Sequence, residues 1–150
     1  MPPRVPRSHP LVSRRTNHTQ PNQFVSTHLS LGQEGEKRAQ QYLEEKGYRI
    51  EGRNVRAGGV EIDLIARRRR AIVFIEVKTR RSRLFGPPEM AVDKKKRRRL
   101  AQGARAWLAK NGTGVSEGRF DVIAWEVESV KGGQDVWHCR HFEDAFYEEE

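Results

Sequence analysis

The sequence predicts an α/β protein: a mixed sheet of about five strands flanked by helices, in the order α-β-β-β-α-β-β. Three observations point there. Two segments carry helical punctuation and an inward stripe, and five short runs are rich in β-branched and aromatic residues. One helix divides the strands into a run of three and a run of two, which suits helices packed on the faces of a sheet rather than a bundle or a barrel. At 150 residues the chain has room for one domain with its own core.

Folded structure is expected from Leu31. The run LGQEGEKRAQQYLEEKG reads as a helix closed by Gly47. Ala39 and Leu43 lie four apart on its inward stripe, and Glu36, three and seven residues before them, falls on the same side. YRIEGRNVR is the first strand, with VEIDLIAR and AIVFIEVKTR the second and third. PPEMAVDKKKRRRLAQGARAWLAKNG follows as a long helix, Pro88 near its start and Asn111-Gly112 past its end. RFDVIAWEVES is the fourth strand and DVWHCRHF a weaker fifth.

Residues 1–30 hold four arginines, no acid, most of the prolines and few large apolar groups. They cannot bury enough surface to offset the entropy of ordering, so a disordered basic arm is expected ahead of a domain over 31–150. A transit peptide has the same charge bias, but the scattered prolines oppose the amphipathic helix it would form. The net charge of +9 is concentrated between the arm and an acid-rich C-terminus, and it favours a polyanionic partner, nucleic acid first. Cys139 stands alone and cannot form an internal disulfide, which suits a reducing compartment. No apolar run approaches the roughly 18 residues of a membrane span, and no apolar core follows the first arginines, so a cytoplasmic protein with no membrane partner is expected.

Two acids and a lysine interrupt the apolar runs of the second and third strands. If these strands form a hairpin centred between Arg69 and Arg70, Asp63 lies opposite Glu76 and Glu61 opposite Lys78, whether the loop has two residues or four. Glu76 and Lys78, two apart, share a face. Asp63, Glu76 and Lys78 then converge, and facing carboxylates repel unless a cation lies between them. Mg²⁺ uses one or two carboxylates with water and phosphate oxygens. A neighbouring ammonium can orient the attacking water or stabilise charge developing on phosphorus. Glu36 is a candidate further ligand or base. The competing reading is a solvated sheet face with an ordinary Glu–Lys pair; Val73, Phe74, Ile75 and Val77 around Glu76 weigh against it, because they mark a strand buried on both faces.

Lys96 recurs with Val92, Leu100 and Ala104 at four-residue intervals, so it faces inward and can reach a substrate phosphate. The rest of KKKRRR suits a solvated helix face. Arg53, Arg56, Arg80, Arg81 and Arg83 are candidate phosphate contacts. Asp121 reads better as an ion pair with Arg119 than as a member of the site, and Trp107, Trp125 and Trp137 read as core or partner-facing residues. His138, Cys139 and His141 do not read as a zinc set, since no second cysteine exists and alternation separates Cys139 from His138.

Asp63 within E-I-D-L-I and Glu76 within E-V-K, twelve residues between them, resemble the PD-(D/E)xK nucleases. The longer pattern GQEGE, RNVR, EIDLIA, FIEVKTR, FG, AV, Lys96 and RFDV resembles the UPF0102 (YraN) family over roughly residues 31–147. The resemblance implies a restriction-endonuclease-like fold similar to archaeal Holliday junction resolvases. It matches the helix acid to Glu36, the second-strand acid to Asp63 and the E-x-K pair to Glu76 and Lys78. Two features depart from the pattern: Val60 stands where such chains often have Gly, and Arg67 to Arg70 stand where the turn is commonly built on Asp-Gly. The expected function is a Mg²⁺- or Mn²⁺-dependent endonuclease hydrolysing DNA phosphodiesters, branched DNA by analogy. The alternative is a nucleic-acid-binding module that keeps the fold without cutting. Symmetrical junction cutting would call for a homodimer.

Overall fold

Helix α1 (Leu31–Glu45) leads into strands β1 (Arg49–Ala57), β2 (Val60–Arg68) and β3 (Ala71–Arg80), then helix α2 (Lys94–Asn111) and strands β4 (Glu117–Glu128) and β5 (Val136–Phe142). The computed structural model describes residues 29–81 and 93–145. The element order is the one the sequence predicts. In space the strands run β1-β2-β3-β4-β5, with β3 and β4 parallel and every other pair antiparallel. The connections explain that pattern: two-residue turns fold β1 onto β2 and β2 onto β3, whereas the segment containing α2 is long enough to return the chain for a parallel partner.

Each turn solves its geometry differently. Gly58 and Gly59 both take positive φ, +57° and +75°, the signature of the tight hairpin turn that only small residues enter easily. At the second turn Arg69 alone is left-handed, φ +58°, so one arginine rather than two bears the strained conformation. The hairpin centre is as predicted, with Leu64 opposite Ile75 and Arg68 opposite Ala71.

Local chemistry fixes the helix ends. Ser30, read from sequence as the last residue of the arm, is the N-cap of α1 and forms a reciprocal capping box with Gln33. At the other end Tyr48 N–H bonds to Leu43 C=O and Gly47 N–H to Glu44 C=O, both at 3.0 Å, with Gly47 left-handed at φ +89°. This is a Schellman closure, and the buried side chains of Leu43 and Tyr48 belong to one cluster beneath it. Helix α2 starts later than predicted. Asp93 is extended and its carboxylate accepts from Lys96 N–H at 2.8 Å, so the helix begins at Lys94 rather than near Pro88. Pro88, Val92 and Arg83 lie outside the described residues.

The sheet is covered on both faces. On one, Ala39 and Leu43 of α1 meet Leu64, Ala66, Val73, Ile75, Ile123 and Trp125. On the other, Leu100, Ala104 and Trp107 of α2 meet Ile62, Ile65, Ile72, Phe74 and Val122. Strand β3 is therefore buried on both sides from Ile72 to Glu76, as its apolar run predicts. Among the described residues no helix is long and apolar enough to cross a membrane.

Candidate functional site

The site is built where β2 changes face. Ile62 packs on the α2 side and Leu64 on the α1 side, although strict alternation would put both on one face. The residue between them is Asp63. Across β1 the ladder pairs Arg53 with Leu64 and Val55 with Ile62, and the bracketed residue, Asn54, is left-handed at φ +48°. Both strands are thus kinked at one level. The β2–β3 ladder ends at the Leu64–Ile75 pair, one step short of the predicted Asp63–Glu76 pairing. Beyond it the Asp63 carboxylate accepts from Val77 N–H at 2.8 Å, so a side chain takes over where the ladder stops.

Glu76 and Lys78 project from β3 toward α2. Glu76 is only 7 % exposed, and its Oε1 receives the ammonium of Lys78 at 3.2 Å and that of Lys96 in a shorter contact from the first turn of α2. Burial pushes the Asp63 carboxyl up to about 7, with Glu76 the next cause and Glu36 adding to it, against the Val77 hydrogen bond and Lys96. Burial also lowers Lys78, as does the adjacent Lys96. Lys96 moves the other way, because hydrogen bonding to Glu76 and Lys78 outweighs its burial. Two carboxyls and two ammoniums share one electrostatic cluster in which the two lysines differ in proton affinity.

Glu36 is brought near from the opposite layer. Residue 35 must be glycine, since a Cβ there would sit 2.0 Å from Thr79 Oγ1, and Trp125 Nε1 donates to the Gly35 carbonyl at 2.9 Å. That close approach seats α1 on β3 and β4. Glu36 acts on Asp63 through space, and among the described residues no three His, Cys, Asp or Glu side chains are gathered as a metal cage.

With this geometry in view, comparison with known proteins is informative. The uncharacterised protein family UPF0102 matches residues 35–125. The chain belongs to family UPF0102. A UPF0102 protein of Geobacter metallireducens is 48 % identical over 117 residues, covering 78 % of this chain and 92 % of that one. One from Symbiobacterium thermophilum is 45 % identical over 117 residues, 78 % and 96 % of the two chains. One from Pelobacter propionicus is 44 % identical over 119 residues, 78 % and 82 %.

The remaining basic residues of this UPF0102 chain are not one surface. Arg53 and Arg56 are exposed on the edge strand β1. Arg80 is half-buried at the end of β3, and Arg81 is ion-paired with Asp135 at 2.8 Å. The arginines that end β2 serve the fold: Arg67 reaches the carbonyls of Asn111 and Thr113 in long hydrogen bonds and pairs with Glu51. Arg68 reaches the Lys46 carbonyl and stacks on Tyr48. The end of β2 therefore supplies cations to the C-terminal ends of both helices, where carbonyls lack partners.

A second buried acid lies on the α1 face. Asp121 is 1 % exposed and pairs with Arg119 in two hydrogen bonds of 2.8 and 2.9 Å, as the sequence predicts. The sequence does not reveal His141, whose Nε2 lies 2.7 Å from Asp121 and whose Nδ1 lies 3.0 Å from the Tyr42 hydroxyl. A carboxylate only accepts, so Nε2 carries a proton toward Asp121, while Nδ1 and the Tyr42 hydroxyl share the second hydrogen bond. Arg119 also donates to Tyr48 Oη, and Asp144 N–H completes the Asp121 shell. Burial opposes ionisation of Asp121, but His141 and Arg119 overcome it and hold the carboxyl below its ordinary value. His138 pairs instead with Glu128 and Cys139 is exposed, so this trio does not converge.

Proposed function

We propose that this UPF0102 protein is a Mg²⁺- or Mn²⁺-dependent endonuclease acting on DNA phosphodiesters, with branched DNA the favoured substrate by resemblance to archaeal resolvases. One observation carries the reading: Asp63 is a half-buried carboxyl raised to about 7 beside Glu76 and Glu36, at a place where two strands bend around it. A fold has little reason to concentrate negative potential there unless a cation uses it. The donors suit a hard divalent ion, since they are carboxylate oxygens and Mg²⁺ needs only one or two of them.

Asp63 and Glu76 would hold the ion, with Glu36 adding negative potential from α1. When bound, such an ion neutralises charge on the phosphodiester and makes water a stronger nucleophile. Lys78, its ammonium made more acidic by burial, is suited to orient that water and to exchange a proton with it. Lys96 and the exposed Arg53 and Arg56 would hold phosphates on either side. The second reading, a nucleic-acid-binding module that does not cut, uses the same basic groups without the ion.

The test is purified full-length protein with Mn²⁺ on linear, single-stranded and four-way-junction DNA, beside Asp63→Ala and Lys78→Ala. Cleavage should fall by about 10²-fold or more in both variants while DNA binding persists. Cleavage surviving in both would expose a contaminating nuclease. Binding without any cutting, weakened about 10³-fold between 50 and 200 mM salt for six phosphate contacts, would establish the module instead.

A further inference from the structure

We propose that Lys96 is an exchangeable cation coupling the ion site to a phosphate subsite: it holds Glu76 when the divalent ion is absent, and it is released to a nucleic-acid phosphate when the ion takes its place. The inference rests on the reading of Asp63 and Glu76 as ion ligands and goes beyond it, because it makes ion and nucleic acid bind cooperatively through one side chain.

Three observations carry it. Lys96 occupies the oxygen an ion would need, since its ammonium meets Glu76 Oε1 from α2 while Lys78 meets the same atom at 3.2 Å from β3. Two ammoniums share one oxygen, so one can leave without stranding the carboxylate once another cation arrives. Lys96 is the better candidate to leave: its side chain is 37 % exposed against 24 % for Lys78. Finally, Lys96 lines a cleft of about 370 Å³ with Val60, Glu61, Asp93, Lys95, Arg99 and Leu100. Lys95 and Arg99 face that cleft with cations and Glu61 and Asp93 with carboxylates, so a freed Lys96 supplies the excess positive charge that a phosphate there would meet. Linkage then requires reciprocity, so whatever the ion does for phosphate affinity, phosphate does for ion affinity.

Lys96→Met tests this in the full chain, with Mn²⁺ binding followed by calorimetry and binding of a labelled DNA duplex followed by fluorescence anisotropy, in EDTA and in Ca²⁺. Removing the competing ammonium should tighten Mn²⁺ binding about tenfold, the scale of a hydrogen bond between charged groups. The gain in DNA affinity that Ca²⁺ gives the wild type should disappear. Lys95→Ala, which lacks the Glu76 contact, should weaken DNA binding in both conditions and leave Mn²⁺ affinity unchanged. Circular dichroism establishes that each variant is folded, and Lys96→Gln replaces Lys96→Met should the latter not fold. Equal Mn²⁺ affinity in wild type and a folded Lys96 variant, or a Ca²⁺ effect on DNA that survives the substitution, would overturn the inference alone. Absence of Mn²⁺ binding in both would overturn the ion-site reading and this inference with it.

Discussion

Asp63, half-buried, and Asp121, buried, are acids on strands separated only by β3, and their surroundings differ in kind. Asp121 is saturated: Arg119 grips it with two hydrogen bonds, His141 and Asp144 N–H complete its shell, and its carboxyl is held below the usual range. Asp63 has one backbone N–H, two acidic neighbours and a carboxyl raised to about 7. The first arrangement joins β4 and β5 to α1 through Tyr42 and to the link that follows α1 through Tyr48. The second leaves the Asp63 carboxyl with an incomplete shell beside a lysine of lowered proton affinity. The comparison teaches that burial alone does not set the proton affinity of a carboxyl; whether its partners complete its shell does.

Neutralising each acid should therefore have opposite effects. Asp121→Asn strands Arg119 and turns an amide toward two donors, so urea denaturation should show a loss of about 3–5 kcal/mol. A neutral or stabilised variant would make the two sites alike. Asp63→Asn keeps an acceptor for Val77 N–H and removes the repulsion, so at pH 8 it should be more stable than wild type by about 2 kcal/mol. That is about half of what the full displacement is worth at 1.4 kcal/mol per tenfold, because the carboxyl is only partly buried. The sign follows from linkage. A folded-state pKa near 7, above the unfolded value, means that the stability from protonated Asp63 is complete below about pH 4 and is lost as pH rises through 7. Melting temperature against pH should show this loss in the wild type and not in Asp63→Asn. Asp121 should contribute in the reverse sense, its stabilisation disappearing as the solution is acidified. The smallest effect is Glu36→Gln, which should move the Asp63 titration downward by less than the Glu76 contribution, read by ¹³C carboxyl NMR. No movement would separate Glu36 from the site.

The sequence was most legible where one local rule acted alone. A two-residue turn fixed the β2–β3 register, and Gly47 fixed the end of α1. The apolar run of β3 announced burial on both faces, and the four-residue spacing from Lys96 to Leu100 and Ala104 placed its side chain inward. Legibility ended where two elements had to agree. Alternation within β2 gives no sign of the face change at Asp63, because the kink belongs jointly to Asp63 and to a left-handed Asn54 on the neighbouring strand. His141 is silent for the same reason, since its partners lie on β4 and α1. Helix α2 was read too early because Pro88 suits a first turn, although Asp93 is the residue whose carboxylate caps it.

The turn at Arg69 has a quantitative consequence for electrolyte titrations. Arg67 and Arg68 donate to carbonyls at the ends of α2 and α1, and Arg67 is also paired with the Glu51 carboxylate. The charge of Arg67 is therefore not free to displace condensed counterions from a polyanion, so the slope of log affinity against log salt will report fewer charges than the arginine content suggests. Replacing Arg67 with glutamine should loosen the α2 layer and leave that slope as it was.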